Sequence, residues 1–317
     1  MGAAGFAAAA TWPALGHAQS FPARPIRIVV PFGAGGIADL TARAVAARLA
    51  DEFKQAVVIE NKPGAGGVVA GDLVAKAAPD GHVLLLMSNA TAVSAGLFNS
   101  LPFDALKDFA PVGTIGTFDL AVLTQAGSRW KTMKDLLAWS RANPGKLNVG
   151  TINVGSTQHL SAELLKTRAE VDFQVVPFNG SPAVLTALRG GQIDAAVEIL
   201  GPMLPQISAG VVHPLAVMGS RRASALAHVP TLAESGVTGF DVTSWNALAA
   251  PAGTPQAVIA TLNRALNQAL ADAQLRRQLA DLNVTPRGGT PQALRALLAS
   301  EMARWSEVID RAKVPKQ

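Results

Sequence analysis

The sequence predicts an α/β protein with two lobes, each built on a mainly parallel sheet flanked by helices. Patterns typical of strands alternate with patterns typical of helices from residue 26 to about residue 218, and the chain becomes helical after residue 254. The length of 317 residues also suggests two domains. We expect two strands, near residues 117–125 and 242–249, to cross between the lobes and to leave a ligand cleft there.

The composition indicates a folded chain that does not bind nucleic acid. Apolar residues make up 49% of the chain and charged residues 15%, which excludes general disorder. The formal net charge of +5 comes from scattered Lys and Arg, and only 5% of residues are aromatic. Neither a basic helix nor a surface for stacking bases is present in this pattern, so a nucleic-acid partner is not expected.

Residues 1–18 are predicted to be a truncated signal peptide. They carry no charge, are rich in alanine and end in Gly16-His17-Ala18, a small-x-small pattern suited to cleavage. The usual basic start of a signal is missing, so either a Lys- or Arg-bearing beginning was lost or the segment is an apolar tail. No later uncharged run reaches the 18 or so residues of a membrane span, and cysteine is absent. An exported, soluble, periplasmic protein is therefore expected.

The first element is a strand from Ile26 to Val30, whose apolar residues are typical of a strand buried on both faces. Pro31 ends it, and the glycines of Phe32–Gly36 permit a tight turn that exposes backbone N–H groups. Asp39 is expected to cap the following helix, which runs to about Leu49. Because N–H groups at a helix start attract anions, this turn is a candidate anion site.

The same turn also fits a dinucleotide-binding fingerprint. Gly33-x-Gly35-x-x-Ala38 directly follows a strand, and Glu60 follows the next one. The interval from Gly33 to Glu60 is longer than the usual ~20 residues, and the bend at Pro31-Phe32 is unusual for a nucleotide turn. A third interpretation is that the glycines only form a βα turn. An NAD(P)-dependent oxidoreductase therefore stays open as an alternative function.

The next units continue the alternation of strands and helices. A strand from Val57 to Glu60 leads to a second glycine turn, Asn61 to Gly67, then to a helix over residues 69–78 and a strand from Val83 to Met87. This βαβαβ order implies right-handed crossovers and a parallel sheet. The polar loop Ser88 to Thr91 follows the third strand, at the sheet edge where ligands bind in open α/β folds.

The remaining elements are predicted from the same alternation and from Pro and Gly stop signals. Strands are predicted at residues 112–115, 120–124, 147–151, 173–177, 193–198, 215–218 and 242–249. Helices are predicted at residues 134–142, 158–168, 182–188, 231–234, 255–271, 273–282 and 291–312. From this order, the first lobe is expected to comprise residues 22–119 and 247–317, and the second lobe residues 120–246.

Few side chains suggest catalysis or metal binding. Ser156 and His159 lie three residues apart near a helix start, but a capping Ser and a pocket His are the simpler interpretation, because a nucleophile also needs an oriented base and an oxyanion hole. Asp194 and Glu198 are too widely spaced along their strand to form a carboxylate pair.

The five histidines show no metal-ligand spacing. Trp245 is expected to pack at the crossing, with a ligand contact as an alternative. We therefore expect neither catalytic residues nor a metal.

Ten segments in order carry a resemblance that extends from about Phe21 to Ala312. They are VVPFGAGGIADLTAR, IENKPGAGG, KAAPDGH, LPFDALKDFAPV, NPGKLNVGT, GSTQHLSAELLK, VPFNGS, LRGGQID, VPTLAESG and APAGTP. Together they resemble the Bug (TctC-like) substrate-binding proteins of tripartite tricarboxylate transport systems.

The resemblance implies a fold like that of periplasmic binding proteins and a receptor that closes around a small organic acid. It implies a monomer that is not an enzyme, uses no cofactor, and passes its ligand to a membrane permease of the tripartite type. A sensory receptor without a permease is the alternative within the same fold. In this family the ligand carboxylate is typically held by loop N–H groups and small hydroxyls, with little use of Arg.

By the same resemblance, ligand contacts are expected from turns at strand ends in both lobes. The expected first-lobe contacts are Phe32, Gly33, Ala34, Gly35, Gly36, Asp39, Ser88, Asn89 and Thr91. The expected second-lobe contacts are Thr151, Asn153, Ser156, Thr157, His159, Asn179, Gly180, Ser181 and Glu198.

The sequence departs from the family pattern at four places in or beside these turns. Gly33 replaces the commoner Pro, Ile37-Ala38 replace a more polar pair, and Asn179 stands where Lys is frequent. Glu198 stands where the family usually has Asp. A longer acidic arm into the cleft is expected there, so the distal end of the ligand is expected to differ from the family norm.

Overall fold

The computed structural model describes residues 21–317, and the predicted signal segment, residues 1–18, lies outside that range. The strands within it are β1 (Ile26–Val30), β2 (Val57–Asn61), β3 (Val83–Ser88), β4 (Phe109–Gln125), β5 (Asn148–Ile152), β6 (Gln174–Phe178), β7 (Ala195–Ile199), β8 (Val212–Val217), β9 (Thr243–Pro251) and β10 (Val284–Gly288). The helices are α1 (Ile37–Phe53), α2 (Val68–Ala75), α3 (Asn89–Leu97), α4 (Met133–Ala142), α5 (Thr157–Ala169), α6 (Ser181–Arg189), α7 (Leu200–Ser208), α8 (Gln256–Ala271), α9 (Ala273–Asp281) and α10 (Pro291–Ala312).

The strands follow one path with the order β2-β1-β3-β9-β4-β7-β5-β6, and β8 and β10 also pair with β4. The first-lobe sheet holds β1, β2, β3, β9, β10 and the first part of β4, whereas the second-lobe sheet holds β5 to β8 and the last part of β4. Pairing is parallel around β1 and β5 and antiparallel at β4 and β9. The predicted two-lobed α/β fold is confirmed, with sheets that are mixed in the middle.

The long strand β4 joins the two sheets. It pairs with β9 from Phe109 to Asp119, and from Leu120 onward it pairs with β7 and β8. The prediction of two short strands here, at residues 112–115 and 120–124, was wrong, because β4 is continuous. A Cβ at Gly116 would lie 2.7 Å from the carbonyl oxygen of Thr285, so the missing side chain lets β10 lie close against β4 rather than ending the strand.

The chain returns to the first lobe just before β9. Val242 N donates to Met218 O in the second lobe (2.8 Å), and β9 then pairs with the first-lobe strands β3 and β4. Of the two predicted crossing strands, β4 therefore extends through both sheets, whereas β9 begins where the crossing is complete.

Buried strands fix the positions of the turns that follow them. In β1, Ile26, Ile28, Val29 and Val30 are all fully buried, as the sequence predicted for a strand covered on both faces. Fully burying such a side chain contributes roughly 1.5–3 kcal/mol, so the strand end at Val30 is held firmly and the following glycine turn starts from a fixed point.

Three elements were not predicted, and one predicted helix is absent. Ser88 to Thr91 was predicted as a loop, but Ser88 accepts from Ala90 N (3.2 Å) and Thr91 completes the capping box, so α3 begins there. Helix α7 and strand β10 were also not predicted, because their sequences lack clear capping or alternation patterns. Residues 231–234 make the predicted capping bonds between Thr231 and Glu234 but form only a turn, which Gly236 ends at φ 97°.

Across residues 21–317, every helix is too short or too polar to span a bilayer.

The contact between α7 and the first-lobe segment at Leu282 generates a stability prediction. A Cβ at Gly201 would lie 1.8 Å from the Leu282 carbonyl oxygen, so Gly201→Ala forces α7 away from the first lobe. We expect a loss of about 1–3 kcal/mol in the free energy of unfolding, measured by urea denaturation. Gly127→Ala is the matched control, because a Cβ there meets nothing within 4 Å. Equal stability of the two variants would contradict this packing.

Candidate functional site

The turn after β1 and the turn after β6 face each other across the gap between the lobes. A Cβ at Gly33 would lie 3.1 Å from the Asn179 carbonyl oxygen, and one at Gly36 would lie 3.9 Å from Ser181 Oγ. The predicted first-lobe and second-lobe turns are thus in direct contact. A Cβ at Gly33 would be in tight contact with the backbone of the opposite lobe, so the Pro that is commoner in the family would require the two turns to lie slightly further apart.

A small cavity of about 30 Å³ lies between these turns and is partly open to solvent. Of the residues that the structure describes, those lining this cavity carry no charge. They are Phe32, Gly33, Gly36, Ile37, Ala38, Ser88, Phe118, Ile152, Thr157, Gln158, Gly180, Ser181, Ile199, Ser244 and Asn246.

Five helices begin at the cavity wall. Helices α1 and α3 begin at Gly36 and Ser88 in the first lobe, and α5, α6 and α7 begin at Ser156, Gly180 and Ile199 in the second. The first N–H groups of a helix have no partner within the helix, and the helix dipole puts partial positive charge at that end. Converging helix starts therefore favour an anion without any cationic side chain.

The start of α1 is shaped by Gly35 and Asp39. Gly35 adopts a left-handed φ of 83°, which costs glycine little. The prediction that Asp39 caps α1 was wrong, because the N-cap is Gly36 and no side chain caps the helix. The Asp39 carboxylate lies in the first turn, where it accepts from Gly35 N (3.0 Å) and pairs with Arg43 (2.9 Å). Burial raises the pKa of Asp39, but the hydrogen bonds from Arg43, Gly35 and Asn61 lower it below its usual value.

Strand β9 supplies two polar side chains that the sequence analysis missed. Ser244 and Asn246 line the cavity, and Trp245 between them is buried without lining it, as alternation along a strand requires. Ser244 Oγ lies 2.9 Å from Thr157 Oγ1 and so bonds one lobe to the other. Asn246 is 1% exposed, and among residues 21–317 neither its amide oxygen nor its amide nitrogen has a partner. Buried amides are normally satisfied, so Asn246 is equipped to bind a ligand.

The start of α5 holds Ser156 and His159 in structural roles. Ser156 Oγ accepts from His159 N (3.1 Å) and donates to Ile152 O (3.1 Å), which makes Ser156 the helix cap. Burial, together with the charge of Lys166, lowers the pKa of His159 to about 4. The hydroxyl proton points to a carbonyl and the imidazole is neutral, as expected for a capping Ser rather than a nucleophile.

Glu198, at the end of β7, is fully buried. Its Oε2 accepts from Ser181 Oγ (3.0 Å), Ile199 N (3.1 Å) and Gln158 Nε2 (3.3 Å). Its Oε1 has no partner among residues 21–317. Burial raises the pKa of Glu198 to about 7 against the lowering effect of the three hydrogen bonds. The carboxyl group stands behind Ser181 and Gln158, which line the cavity, so it does not form the acidic arm expected at the surface of the cleft.

The predicted contacts fall into three groups. Those that line the cavity are Phe32, Gly33, Gly36, Ser88, Thr157, Gly180 and Ser181. Those that line a neighbouring groove beside the second glycine turn are Asn153 and Asn179. Those outside both sets of lining residues are Ala34, Gly35, Asp39, Asn89, Thr91, Thr151, Ser156, His159 and Glu198.

The lining residues that the sequence analysis missed as contacts are Ile37, Ala38, Phe118, Ile152, Gln158, Ile199, Ser244 and Asn246. Two signals were available for some of them. Gln158 sits between two predicted contacts in the first turn of a helix, and the alternation of β9 points Ser244 and Asn246 to one face.

Glu60, the acidic residue of the alternative dinucleotide interpretation, is held in ion pairs. It lies 2.8 Å from Arg27 and 3.0 Å from Lys62. The pKa of Glu60 is lowered chiefly by the hydrogen bond from Lys62, with Arg27 contributing. Across the described part of the chain, no group of three or more His, Cys, Asp or Glu side chains is arranged to hold a metal ion.

Comparison with known proteins identifies the chain's relatives. The family model described as "Tripartite tricarboxylate transporter family receptor" matches residues 41–314. Protein BugT of Bordetella pertussis is 36% identical over 294 residues, covering 92% of this chain and 90% of BugT.

Two solved structures share the fold at substantial identity. R. palustris Rpa4515 with adipate has a TM-score of 0.89 and 33% identity, with 92% of this chain and 98% of that chain covered. MatC (Rpa3494) from Rhodopseudomonas palustris with bound malate has a TM-score of 0.86 and 34% identity, with 91% of this chain and 100% of that chain covered. The resemblance inferred from the sequence is confirmed.

Burial of Glu198 predicts a pH-dependent stability difference between the wild type and Glu198→Gln. The pKa of Glu198 is raised from 4.5 to about 7 in the folded state, so between these values the folded protein holds a proton that the unfolded chain has released. Stability from this group is therefore present below pH 4.5 and is lost as pH rises to about 7. Glu198→Gln cannot titrate and should gain up to about 3 kcal/mol relative to the wild type between pH 5 and pH 8.

Urea denaturation across that pH range measures this difference. His159 has the opposite effect on stability, which it increases as pH rises from about 4 to 6.5. This effect is the same in the wild type and in Glu198→Gln, so it does not change the difference between them. Glu170→Gln, which removes an exposed carboxylate from the same lobe, controls for the substitution itself. A constant difference between the wild type and Glu198→Gln at every pH would contradict the raised pKa.

Proposed function

The chain belongs to the tripartite tricarboxylate transporter receptor family, and we propose that it captures a small carboxylate-bearing metabolite in the cavity between its lobes. The bound adipate and malate of the two structural relatives are small carboxylates, which supports this class of ligand. In this proposal the protein is a periplasmic receptor that acts as a monomer and presents its ligand to a membrane permease of the tripartite type.

The convergence of five helix starts on one uncharged cavity is the observation that carries the proposal. A carboxylate there replaces water with backbone N–H donors and with the amide of Asn246, without needing an arginine. Hydrogen bonds to a charged group contribute about 1.5–3 kcal/mol each. Four or five such bonds, after subtraction of the entropy cost of ordering the ligand and the loops, are enough for a binding free energy of about −8 kcal/mol. This corresponds to a micromolar dissociation constant.

The side chains support binding of the ligand without a chemical reaction. Ser156 donates its hydroxyl proton to the Ile152 carbonyl, so His159 is not positioned to activate it as a base. The ion pairs of Glu60 likewise leave that carboxylate engaged, which weakens the dinucleotide interpretation. We therefore propose a binding protein rather than an oxidoreductase or a hydrolase.

Calorimetric titration of matched acids and esters tests the proposal. Protein unfolded and refolded to remove any bound solute is titrated with malate, adipate and short monocarboxylates, and each acid that binds is compared with its methyl ester. We expect at least one acid to bind at micromolar concentration and its ester to bind at least tenfold more weakly, because the ester loses a charged hydrogen bond. Binding by none of the acids, or equal binding of acid and ester, would overturn the proposal.

Contact between the two turns predicts that closure is needed for tight binding. The side chain in Gly33→Leu would collide with the Asn179 carbonyl oxygen, which lies 3.1 Å from an ideal Cβ, and would hold the lobes apart. We expect at least a tenfold weaker affinity for the best acid, with little change in the melting temperature of the unliganded protein. Gly127→Leu carries the same change where a Cβ meets nothing within 4 Å, and should bind normally. Wild-type affinity in Gly33→Leu would show that this contact is not part of the bound state.

A further inference from the structure

The two ends of the cavity differ in charge. At the first-lobe end, the only first-turn acid of α1 is Asp39, and Arg43 compensates it at 2.9 Å. At the second-lobe end, Glu198 is fully buried, and across residues 21–317 it forms no ion pair with a Lys, Arg or His. The partners that face it from α5, α6 and α7 are the uncharged Gln158, Ser181 and Ile199.

The hydrogen bonds of Glu198 also set the polarity of the second-lobe wall. Ile199 N and Gln158 Nε2 can only donate, so Glu198 Oε2 is an acceptor. The third bond, 3.0 Å from Ser181 Oγ, then uses the one proton of that hydroxyl. Gln158 directs its amide nitrogen toward Glu198, so its carbonyl oxygen points away from that carboxylate.

Ser181 lines the cavity with its one proton already used, so its hydroxyl presents lone pairs to a ligand. Gln158 also lines the cavity, and its carbonyl oxygen and the second N–H of its amide are not used by Glu198. Ser181 Oγ faces the first lobe, 3.9 Å from an ideal Cβ at Gly36. A ligand carboxylate beside Ser181 would meet the lone pairs of its hydroxyl, with the buried carboxyl group of Glu198 behind them. A ligand hydroxyl, amide N–H₂ or ammonium would meet the acceptors with the protons that they require.

We propose that the cavity binds its ligand in one direction, with a carboxylate at the starts of α1 and α3 and a hydrogen-bond donor against Ser181 and Gln158. The proposal rests on the proposed carboxylate-receptor function and narrows its substrate class. The ligands are monocarboxylates that carry a hydroxyl, amide or amino group at the other end, rather than diacids.

Two matched series of acids test the direction on the wild-type protein. The four-carbon series is butyrate, succinate, 4-hydroxybutyrate, succinamate and 4-aminobutyrate, and the six-carbon series is hexanoate, adipate and 6-hydroxyhexanoate. At pH 8, we expect a donor-terminated acid to bind at least tenfold more tightly than the diacid of the same length. A diacid that binds tightest at both lengths would overturn this proposal while leaving the receptor function standing. If no member of either series binds, the receptor function itself fails, and this proposal with it.

Two substitutions of Glu198 separate polarity from charge. Glu198→Gln removes the charge but keeps a carbonyl oxygen for the three donors, so it should keep the wild-type preference. Glu198→Met removes the acceptor and frees Ser181 and Gln158 to donate, so the affinity for the diacid relative to the hydroxy acid should rise at least tenfold. Glu170→Gln, on an exposed part of the second lobe, is the control and should leave the ratio unchanged.

Circular dichroism and melting temperature establish that each variant is folded before titration. An unchanged ratio in folded Glu198→Met would overturn the role assigned to Glu198. Should Glu198→Met fail to fold, Ser181→Ala provides the second readout, because it removes the hydroxyl lone pairs. It should reduce the advantage of 4-hydroxybutyrate over butyrate by at least fivefold, and an undiminished advantage would equally overturn the proposal.

Discussion

The convergence of helix starts at the facing ends of two sheets is the constraint on which the structure of this protein depends. Each parallel strand that ends at the cavity delivers a helix whose first N–H groups lack partners within that helix, and burial makes such groups costly unless something accepts from them. A small anion bound there would satisfy several of them at once. In the proposed function, the helix starts therefore favour an anionic ligand although the residues that line the cavity carry no charge.

Glycine and small polar residues make this arrangement possible because the lobes meet through backbone. Gly33 approaches the Asn179 carbonyl, and Gly36 lies beside Ser181. The hydroxyl pair Thr157 and Ser244 adds a direct bond between the lobes. Larger side chains would separate the helix starts and weaken their joint effect on an anion. On the second-lobe side, the buried carboxyl of Glu198 accepts hydrogen bonds from Gln158, Ser181 and Ile199, and the proposed direction of ligand binding rests on this difference between the two ends of the cavity.

The sequence predicted the parts of the fold and the site that depend on local signals. The glycine turn after β1, the cap at Ser156 and the N-terminal residues of α6 all follow from strand ends, capping residues and Pro at the first helical turn. Features that depend on tertiary contacts were not predictable in this way. Residues 116–119, predicted to lie between two strands, are part of β4, where the missing side chain of Gly116 leaves space for β10. Asn246 reaches the cavity because β9 lies between β3 and β4.

A crystal structure of the protein with a bound carboxylate that it takes up tests the central claim most directly. The account predicts that the carboxylate oxygens lie about 2.7–3.2 Å from backbone nitrogens at the start of α1 or from the Asn246 amide, with the turns at Gly33 and Asn179 still in contact. It is contradicted if the acid lies instead in the groove lined by Arg168, Arg304 and Arg311, held by guanidinium groups outside the interlobe cavity.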